Sequence, residues 1–196
     1  MKKLLIISVV AVSALLTSCA TTFYGIKAGP NIANIYGDDV DNAESKIGVL
    51  FGGYAEFQAF DTFSIQPELL YSAQGAKYTE SDGFDGKFKL DYLNIPIMGK
   101  FYVSDGFFLE AGPQIGFLLS AKDEYESPGL SGEDDIKEFF KGTDFAANLG
   151  LGYQLEGGLN FGARYSVGVS NINDFEGSED FKNTNGVFSF LVGFRF

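Results

Sequence analysis

The sequence predicts an all-β protein of one domain: an eight-stranded antiparallel up-and-down β-barrel that spans a membrane. Large apolar residues alternate with small or polar ones in eight stretches, and a period of two indicates strands with two unlike faces. The links between the stretches are alternately short and long, which is typical of up-and-down membrane barrels. The composition agrees with an all-β fold, because 25 Gly, 21 Phe and 10 Tyr stand against 5 Pro and 2 Met.

The eight predicted strands follow one another without a long helical segment between them. Their bounds are 23–34, 47–59, 63–75, 89–103, 107–120, 143–155, 158–170 and 184–196. Four prolines lie inside these strands: Pro30, Pro67, Pro96 and Pro113. Each proline is expected to remove a ladder hydrogen bond and to mark a bend or bulge, since proline has no backbone N–H.

The links divide into two classes by length and charge. The short ones, 60–62, 104–106 and 156–158, are predicted to be tight turns. The long ones are 36–46, 76–89, 121–142 and 171–183, with formal charges of −3, 0, −4 and −3. We therefore expect short periplasmic turns and long acidic external loops. For residues 133–140 of the third long link, one or two helical turns and an irregular loop are equal alternatives.

Alternation alone is compatible with two kinds of barrel. A soluble barrel places its apolar side chains inside, whereas a membrane barrel inverts this arrangement. Here the polar face is rich in Gly and has few charges, of both signs, as a closed lumen requires because an unpaired buried charge is costly. Aromatic residues near strand ends, among them Phe23 and Tyr102, are expected to form girdles at the membrane boundaries. These features favour the membrane barrel.

A polar network is expected in the lumen. It consists of Lys27, Glu56, Glu68, Lys100, Glu110, Arg164 and Arg195. Asp91 and Asp144 are assigned to the same face. A structural salt-bridge network is the favoured interpretation, because side chains fill an eight-stranded interior. The alternative is a membrane-embedded enzyme or a narrow channel that uses Lys100, Glu110 and Arg164.

The last predicted strand, 184–196, is expected to pair with the first and close the barrel, because an unpaired edge would remain adhesive. Its lipid-facing side is Phe188, Phe190, Val192, Phe194 and Phe196, and Leu191 is the exception to the alternation. Arg195 falls on the lumen side. It requires a carboxylate there, for which Glu56, Glu68 and Glu110 are the candidates.

Residues 1–20 read as a cleaved signal peptide, which leaves 21–196 as the barrel domain. Lys2 and Lys3 precede an apolar run at 4–16 that is shorter than the ~20 residues of a transmembrane helix. Cleavage after Ala20 is favoured because the first strand begins almost immediately. In the alternative, Cys19 is lipidated and the chain is a lipid-anchored soluble barrel that binds an apolar ligand.

Composition also narrows the chemistry. The chain has no His, which excludes His-dependent catalytic triads and His-ligated zinc. Its net charge of −12 argues against a nucleic-acid partner. The acidic run at 38–44 offers oxygen ligands but not the spacing of an EF-hand loop, so solvated loops are preferred to a calcium site. No enzyme activity, cofactor or metal is expected.

Four segments resemble a known family: GIKAGPNIANI at 25–35, SIQPELLYSAQGAKY at 64–78, DYLNIPIMGKFYV at 91–103 and VGFRF at 192–196. The sequence resembles the PorT-like outer-membrane β-barrel family over nearly all of residues 21–196. The resemblance implies an OmpA/OmpX-like eight-stranded barrel that is delivered to the outer membrane after signal cleavage. One branch of that family is tied to protein secretion, and no residue here marks that branch. A terminal aromatic also resembles the signal read by barrel-assembly machinery, which maps onto Phe194 and Phe196.

These observations predict a non-enzymatic integral outer-membrane protein with a structural role or a binding role in its loops. The expected partners are outer-membrane lipid, the barrel-assembly machinery during insertion, and an external ligand at the acidic loops. The protein is expected to be a monomer.

Overall fold

The structure, a computed structural model, describes residues 21–37, 43–80, 84–127, 130–175, 177–178 and 181–196. The predicted signal peptide at 1–20, with Cys19, lies outside the described residues. So do residues 38–42 of the acidic first long link.

Nine strands and one short 3₁₀-helix make up the described regular structure. The strands are β1 (Thr21–Gly37), β2 (Glu44–Phe60), β3 (Phe63–Glu80), β4 (Phe84–Tyr102), β5 (Phe107–Ser127), β6 (Leu130–Asp135), β7 (Thr143–Gln154), β8 (Leu159–Gly168) and β9 (Asn183–Arg195). The 3₁₀-helix is Lys137–Phe139. Within the described ranges, no helix has the length and apolar character needed to cross a membrane.

Eight of the strands close into a ring. Neighbours along the chain pair antiparallel, β5 pairs with β7, and β9 returns to pair with β1. At this seam Ile26 lies opposite Phe194 and Ile32 lies opposite Phe188. The predicted eight-stranded up-and-down barrel and its closure by the first and last strands are confirmed. The ninth strand, β6, pairs with β5 beyond the ring.

The two ends of the barrel differ as predicted. Three tight turns, at 61–62, 103–106 and 155–158, connect strands at one end, which we call the periplasmic end. Gly106, Gly157 and Gly158 have φ of 83°, 91° and 99° there, a conformation that residues with a Cβ rarely adopt. The long connections all lie at the other, external end.

Prolines and bulges do not coincide. One ladder lacks partners at each of Pro30, Pro67, Pro96 and Pro113, as expected for residues without an N–H, but the register is the same on both sides of each gap. The bulges lie elsewhere, between Asp91 and Tyr92 for example. Of the expected bend or bulge, the bulge is absent at these prolines, because a missing hydrogen bond does not insert a residue into the ladder.

The faces of the barrel are inverted relative to a soluble protein. On β7, the Leu149 side points outward and is 68% exposed, while Asn148 points inward and is 4% exposed. The exterior band draws on every barrel strand, with Ile26, Phe51, Leu69, Ile97, Leu109, Leu149, Phe161 and Phe190 among its members. The soluble alternative requires apolar side chains inside, and the described strands have them outside. The membrane interpretation is therefore confirmed.

Parts of the predicted long links are strands. β3, β4 and β5 continue past the apolar band and, with β6, form a four-stranded extension that we call the external sheet: residues 76–80, 84–90, 121–127 and 130–135. Of the segment 133–140, only Lys137–Phe139 is helical. Sequence patterning missed this sheet because charged residues, not apolar ones, alternate along its strands.

Candidate functional site

The centre of the lumen is a buried ion cluster around Glu68, which is 3% exposed. Lys27 Nζ donates to Glu68 Oε1 at 2.7 Å. Arg164 approaches the same carboxylate with both terminal nitrogens, Nη1 to Oε2 at 2.7 Å and Nη2 to Oε1 at 2.9 Å. Since strands β1, β3 and β8 each supply one member, the cluster ties opposite walls of the barrel together. Charge-assisted bidentate pairs of this kind are among the stronger hydrogen bonds in proteins.

Two further carboxylates extend the cluster. Arg164 Nε donates to Glu110 Oε1 at 2.7 Å. Glu56 accepts from Lys100 Nζ at 3.2 Å and from the Tyr102 hydroxyl at 2.6 Å. A glutamine joins the two halves, because Gln66 donates to Glu68 at 2.6 Å and accepts from Lys100 at 3.2 Å. Six of the seven predicted lumen residues therefore meet in the lumen, and the seventh, Arg195, lies at the edge of the cluster.

Arg195 occupies the periplasmic edge of the cluster. Of its three candidate partners, Glu56 is the one it approaches, with Nη1 3.8 Å from Oε2. Its guanidinium lies 4.1 Å from the centre of the Phe23 ring. The sequence predicts Phe23 and Tyr102 as girdle residues, and this prediction is wrong. Both side chains point inward at the strand ends. The Phe23 ring packs against Arg195, and the Tyr102 hydroxyl donates to Glu56.

Not every polar residue assigned to the lumen belongs there. Asp91 lies on the exterior face, on the same side of β4 as Leu93, because odd residues of this strand face outward. Its assignment to the lumen was wrong. Conversely, Leu191 points inward and packs with Leu50 and Leu70. The break in alternation at Leu191 was the visible signal for this small apolar cluster.

A polar layer lies at the seam between the first and last strands. The Ser189 hydroxyl donates to Asn31 Oδ1 at 2.7 Å, and Asn31 Nδ2 donates to the Ser72 hydroxyl at 2.8 Å. All three side chains are buried. They connect β9, β1 and β3 through side chains alone.

Replacing Asn31 by Ala is expected to destabilise the barrel by about 1–3 kcal/mol, because both serines lose a buried partner. Denaturant unfolding in detergent micelles measures this change. Ser131→Ala, at an exposed position of the external sheet, is the comparison variant. A loss for Asn31→Ala below about 0.5 kcal/mol would contradict a structural role for the layer.

An apolar cap closes the lumen at the external end. It consists of Ile35, Ala76, Leu90, Tyr92, Leu118, Ala121 and Ile172. Ile172 comes from the fourth long link and is held by two backbone bonds, from its N–H to Asn183 O at 2.9 Å and from Lys141 N–H to its carbonyl at 2.8 Å. Phe140 and Asn173 form a bridge between the third and fourth links. Sequence patterning missed Ile172, an isolated apolar residue between two asparagines.

Asp144 lies beneath this cap. It accepts from Ser170 at 2.7 Å and from Asn185 at 2.9 Å. Unlike the other three buried lumen carboxylates, it has no cationic partner among the described residues. The alternative of an acid–base site used Lys100, Glu110 and Arg164, and each of these is engaged in the ion cluster instead.

The external sheet has two unlike faces. On its inward side, rings cover glycines: Tyr78 lies over Gly86 and Tyr125 over Gly132, so that a Cβ at either glycine would overlap the ring. The Tyr78 hydroxyl donates to Asp123 at 2.8 Å. Such ring-over-glycine pairs stabilise strands that carry few apolar side chains.

On its outward side, lysines and glutamates form a ladder. Glu124 pairs with Lys89 and with Lys87, the latter at 3.0 Å. Glu133 pairs with Lys122 at 2.5 Å and with Lys89 at 3.2 Å. The hydrogen bonds from Lys89 and Lys87 lower the pKa of Glu124 from 4.5 to about 2. Those from Lys122 and Lys89 lower the pKa of Glu133 as well.

The ladder predicts a loosening of the external sheet in acid. A carboxylate whose folded-state pKa is depressed stabilises the folded state above its unfolded pKa and loses that contribution as pH falls through the folded pKa. For Glu124 the window runs from about pH 4.5 down to about pH 2. NMR of the barrel in nanodiscs should show the β4–β5 contacts of the external sheet, where Glu124 pairs with Lys87 and Lys89, intact at pH 6 and weakening in this window. Glu124→Gln should remove this pH response from the β4–β5 contacts, and an unchanged response there would contradict the assignment.

Metal binding finds no support in these side chains. The described residues contain no group of three or more His, Cys, Asp or Glu placed to hold a metal ion. The acidic residues at 38–42 lie outside the described residues.

Comparison with known proteins agrees with this architecture. The Ail attachment invasion locus protein of Yersinia pestis, solved with the heparin analogue sucrose octasulfate, has a TM-score of 0.53 at 17% identity and covers 89% of this chain and 99% of its own. Neisserial surface protein A has a TM-score of 0.50 at 14% identity, with coverages of 88% and 97%. At these identities both show the fold alone.

The sequence comparisons give the family. No curated protein matches the chain. The family described as "Outer membrane protein beta-barrel domain" matches residues 21–174, most of the chain. With the inverted faces, the closed ring and the asymmetric ends, this match leads to one conclusion. The chain belongs to the outer membrane protein beta-barrel domain family and is an integral outer-membrane barrel.

Proposed function

We propose that this protein is a non-enzymatic outer-membrane barrel that binds a cationic partner through its external loops. The observation that carries the proposal is the double closure of the lumen. The ion cluster around Glu68 fills its centre, and the apolar cap around Ile172 closes its external end. Polar surface that a partner can reach from outside therefore lies on the external sheet and loops.

The charge of that end sets the kind of partner. The four long links hold −10 of the −14 that remains without Lys2 and Lys3. In the external sheet, lysines and glutamates pair with one another, so its outward face contributes little net charge. The excess belongs mainly to the links at 36–46 and 171–183 and to residues 133–138. The negative charge of these links favours a basic protein segment or a polyamine as partner over a sulfated glycan. It also attracts such a partner at long range and so speeds association.

Binding of charged probes to the barrel in nanodiscs of zwitterionic lipid tests the proposal. Deca-lysine should bind and should weaken as salt rises from 50 to 500 mM, because screening shortens the range of the loop charges. Deca-glutamate and sucrose octasulfate should not bind. A triple variant, Asp38→Asn, Asp39→Asn and Asp41→Asn, should weaken deca-lysine about tenfold.

Lys141→Gln serves as the control, because it removes a positive charge at the same end and should leave the affinity equal or higher. Equal binding of deca-lysine and deca-glutamate would contradict the proposal, and so would an unchanged affinity of the triple variant for deca-lysine. The channel alternative is tested on the same preparation in planar bilayers, where the closed lumen should give no unitary conductance steps.

Three finer assignments accompany the proposal. Residues 1–20 act as a cleaved signal peptide, which mass spectrometry tests by finding Thr21 as the first residue of the exported protein. Phe194 and Phe196, whose rings lie 6.1 Å apart on the lipid side, act as an assembly signal. Placement in the PorT-like family rests on the four segments quoted above. We also propose that the barrel is monomeric, which light scattering in detergent tests.

A further inference from the structure

We propose that the periplasmic mouth of the barrel binds a small zwitterion: an amino acid or short peptide with a free ammonium and a free carboxylate. This site lies at the opposite end from the external binding surface and is independent of it. A cavity of about 290 Å³ opens there, and all three tight turns contribute to its wall. Asp61 comes from the first turn, Asp105 from the second and Glu156 from the third, while Arg195 reaches in from β9.

Arg195 is the anion-binding element. Its side chain is 24% exposed and lines the cavity. Its contact with Glu56 is a 3.8 Å approach, longer than a hydrogen bond, and its other contact is with the ring of Phe23. Within the described residues, the guanidinium has no acceptor at hydrogen-bonding distance. Arginine presents planar, paired donors that match a carboxylate, so a ligand carboxylate would supply the acceptors that the Arg195 guanidinium lacks.

The other side of the cavity offers acceptors. Asp61, Asp105 and Glu156 have no cationic partner at salt-bridge distance among the described residues. Gln154, 8% exposed and part of the wall, donates through Nε2 to the carbonyls of Leu155 and Leu159. Its Oε1 is buried and has no donor. A buried acceptor without a donor is uncommon and destabilising, so the wall of the cavity carries an amide acceptor that the described residues leave unpaired.

The mixture of charges selects the ligand. A simple anion would satisfy Arg195 and be repelled by three carboxylates, while a simple cation would leave the guanidinium without an acceptor. A molecule that holds both charges a few bonds apart satisfies both sides. The cavity, about 290 Å³, is of the size that suits an amino acid or dipeptide. Backbone hydrogen bonds tie its turns together, among them Gln154 N–H to Gly106 O at 2.7 Å and Arg195 N–H to Gly158 O at 2.8 Å, which lowers the cost of ordering on binding.

Titration with three dipeptide probes tests the site in the whole barrel in nanodiscs. The probes are diglycine, N-acetyl-diglycine, which lacks the ammonium, and diglycine amide, which lacks the carboxylate. NMR shifts of the turn amides, or calorimetry, report binding. Diglycine should bind at least tenfold more tightly than either blocked form. Equal affinities for the three probes, or no diglycine binding up to about 10 mM, would overturn the proposal.

Variants separate the two halves of the site. Arg195→Gln should remove the advantage of diglycine over diglycine amide, and Asp105→Asn should reduce its advantage over N-acetyl-diglycine. Asp174→Asn, at the external end, is the control and should bind diglycine like the parent. Heat-modifiable migration confirms that each variant folds. If Arg195→Gln does not fold, Arg195→Lys keeps the charge beside Glu56 and should still lose several-fold in diglycine affinity; unchanged affinity in a folded variant contradicts the role of Arg195.

Discussion

Replacing Glu68 by Gln is expected to destabilise the barrel by about 3–5 kcal/mol, the cost of breaking a buried ion pair by removing one partner. Arg164 and Lys27 both direct their charges at this carboxylate and are themselves buried. The amide keeps the shape of Glu68 but not its charge, so the lumen gains uncompensated positive charge. Denaturant unfolding in detergent measures the loss of stability. Far-UV circular dichroism monitors the unfolding, because the chain has no Trp for fluorescence. Glu138→Gln, on the exposed surface, should change stability by less than about 0.5 kcal/mol.

A second substitution distinguishes charge from packing. Lys27 pairs with Glu68 and with no other carboxylate of the cluster, so Lys27→Met removes the excess charge that Glu68→Gln creates. The double variant should be less destabilised than the sum of the single variants by about 1–3 kcal/mol, the range for residues in contact. Strict additivity of the two losses would argue against an ion cluster that acts as one unit.

Replacing Leu149 by Arg is expected to destabilise the membrane-inserted barrel by about 2–4 kcal/mol, the cost of a cation at the middle of the lipid-facing band. Leu149 is central in β7 and is 68% exposed on the exterior. Reversible unfolding from lipid vesicles measures the difference. In water the same exposed position would tolerate Arg with little effect, so the result also tests the membrane interpretation.

Depth supplies the control for this prediction. Val169 is also exposed on the exterior, but it follows the end of β8 at the external rim. Val169→Arg should cost no more than about 1 kcal/mol, because an arginine near the interface reaches the headgroups. Equal losses at the two positions would contradict the placement of the band.

The barrel and its lumen cluster were predictable because both follow from a period of two. Once the lipid-facing side of a strand is known, every second residue is assigned to the lumen, and charges of both signs there must pair. The partner of Arg195 was not predictable. Its choice among three glutamates depends on strand tilt and register, which no single strand contains.

The wrong or missing predictions have three different origins. The charge of Asp91 suggests the lumen, whereas its position along β4 places it with Leu93 on the exterior. Tyr102 lies at a strand end, which suggests a girdle residue. Position along the strand does not fix whether the side chain points to the lipid or to the lumen. Ile172 and the external sheet depend on contacts between distant links, such as Tyr78 over Gly86, and leave no apolar repeat in the sequence.

The layer formed by Asn31, Ser72 and Ser189 has a consequence for how the protein folds. Asn31 and Ser189 are 158 residues apart in the chain, and the hydrogen bond between them lies at the junction of β1 and β9. Contacts at such separation form late, because the entropy of closing so long a loop must be overcome first. Until that moment β1 and β9 each present an open edge within the bilayer, where unpaired backbone groups are costly. We therefore expect ring closure to be a late step of folding, and the hydrogen bond between Ser189 and Asn31 forms only when β1 and β9 pair in the correct register.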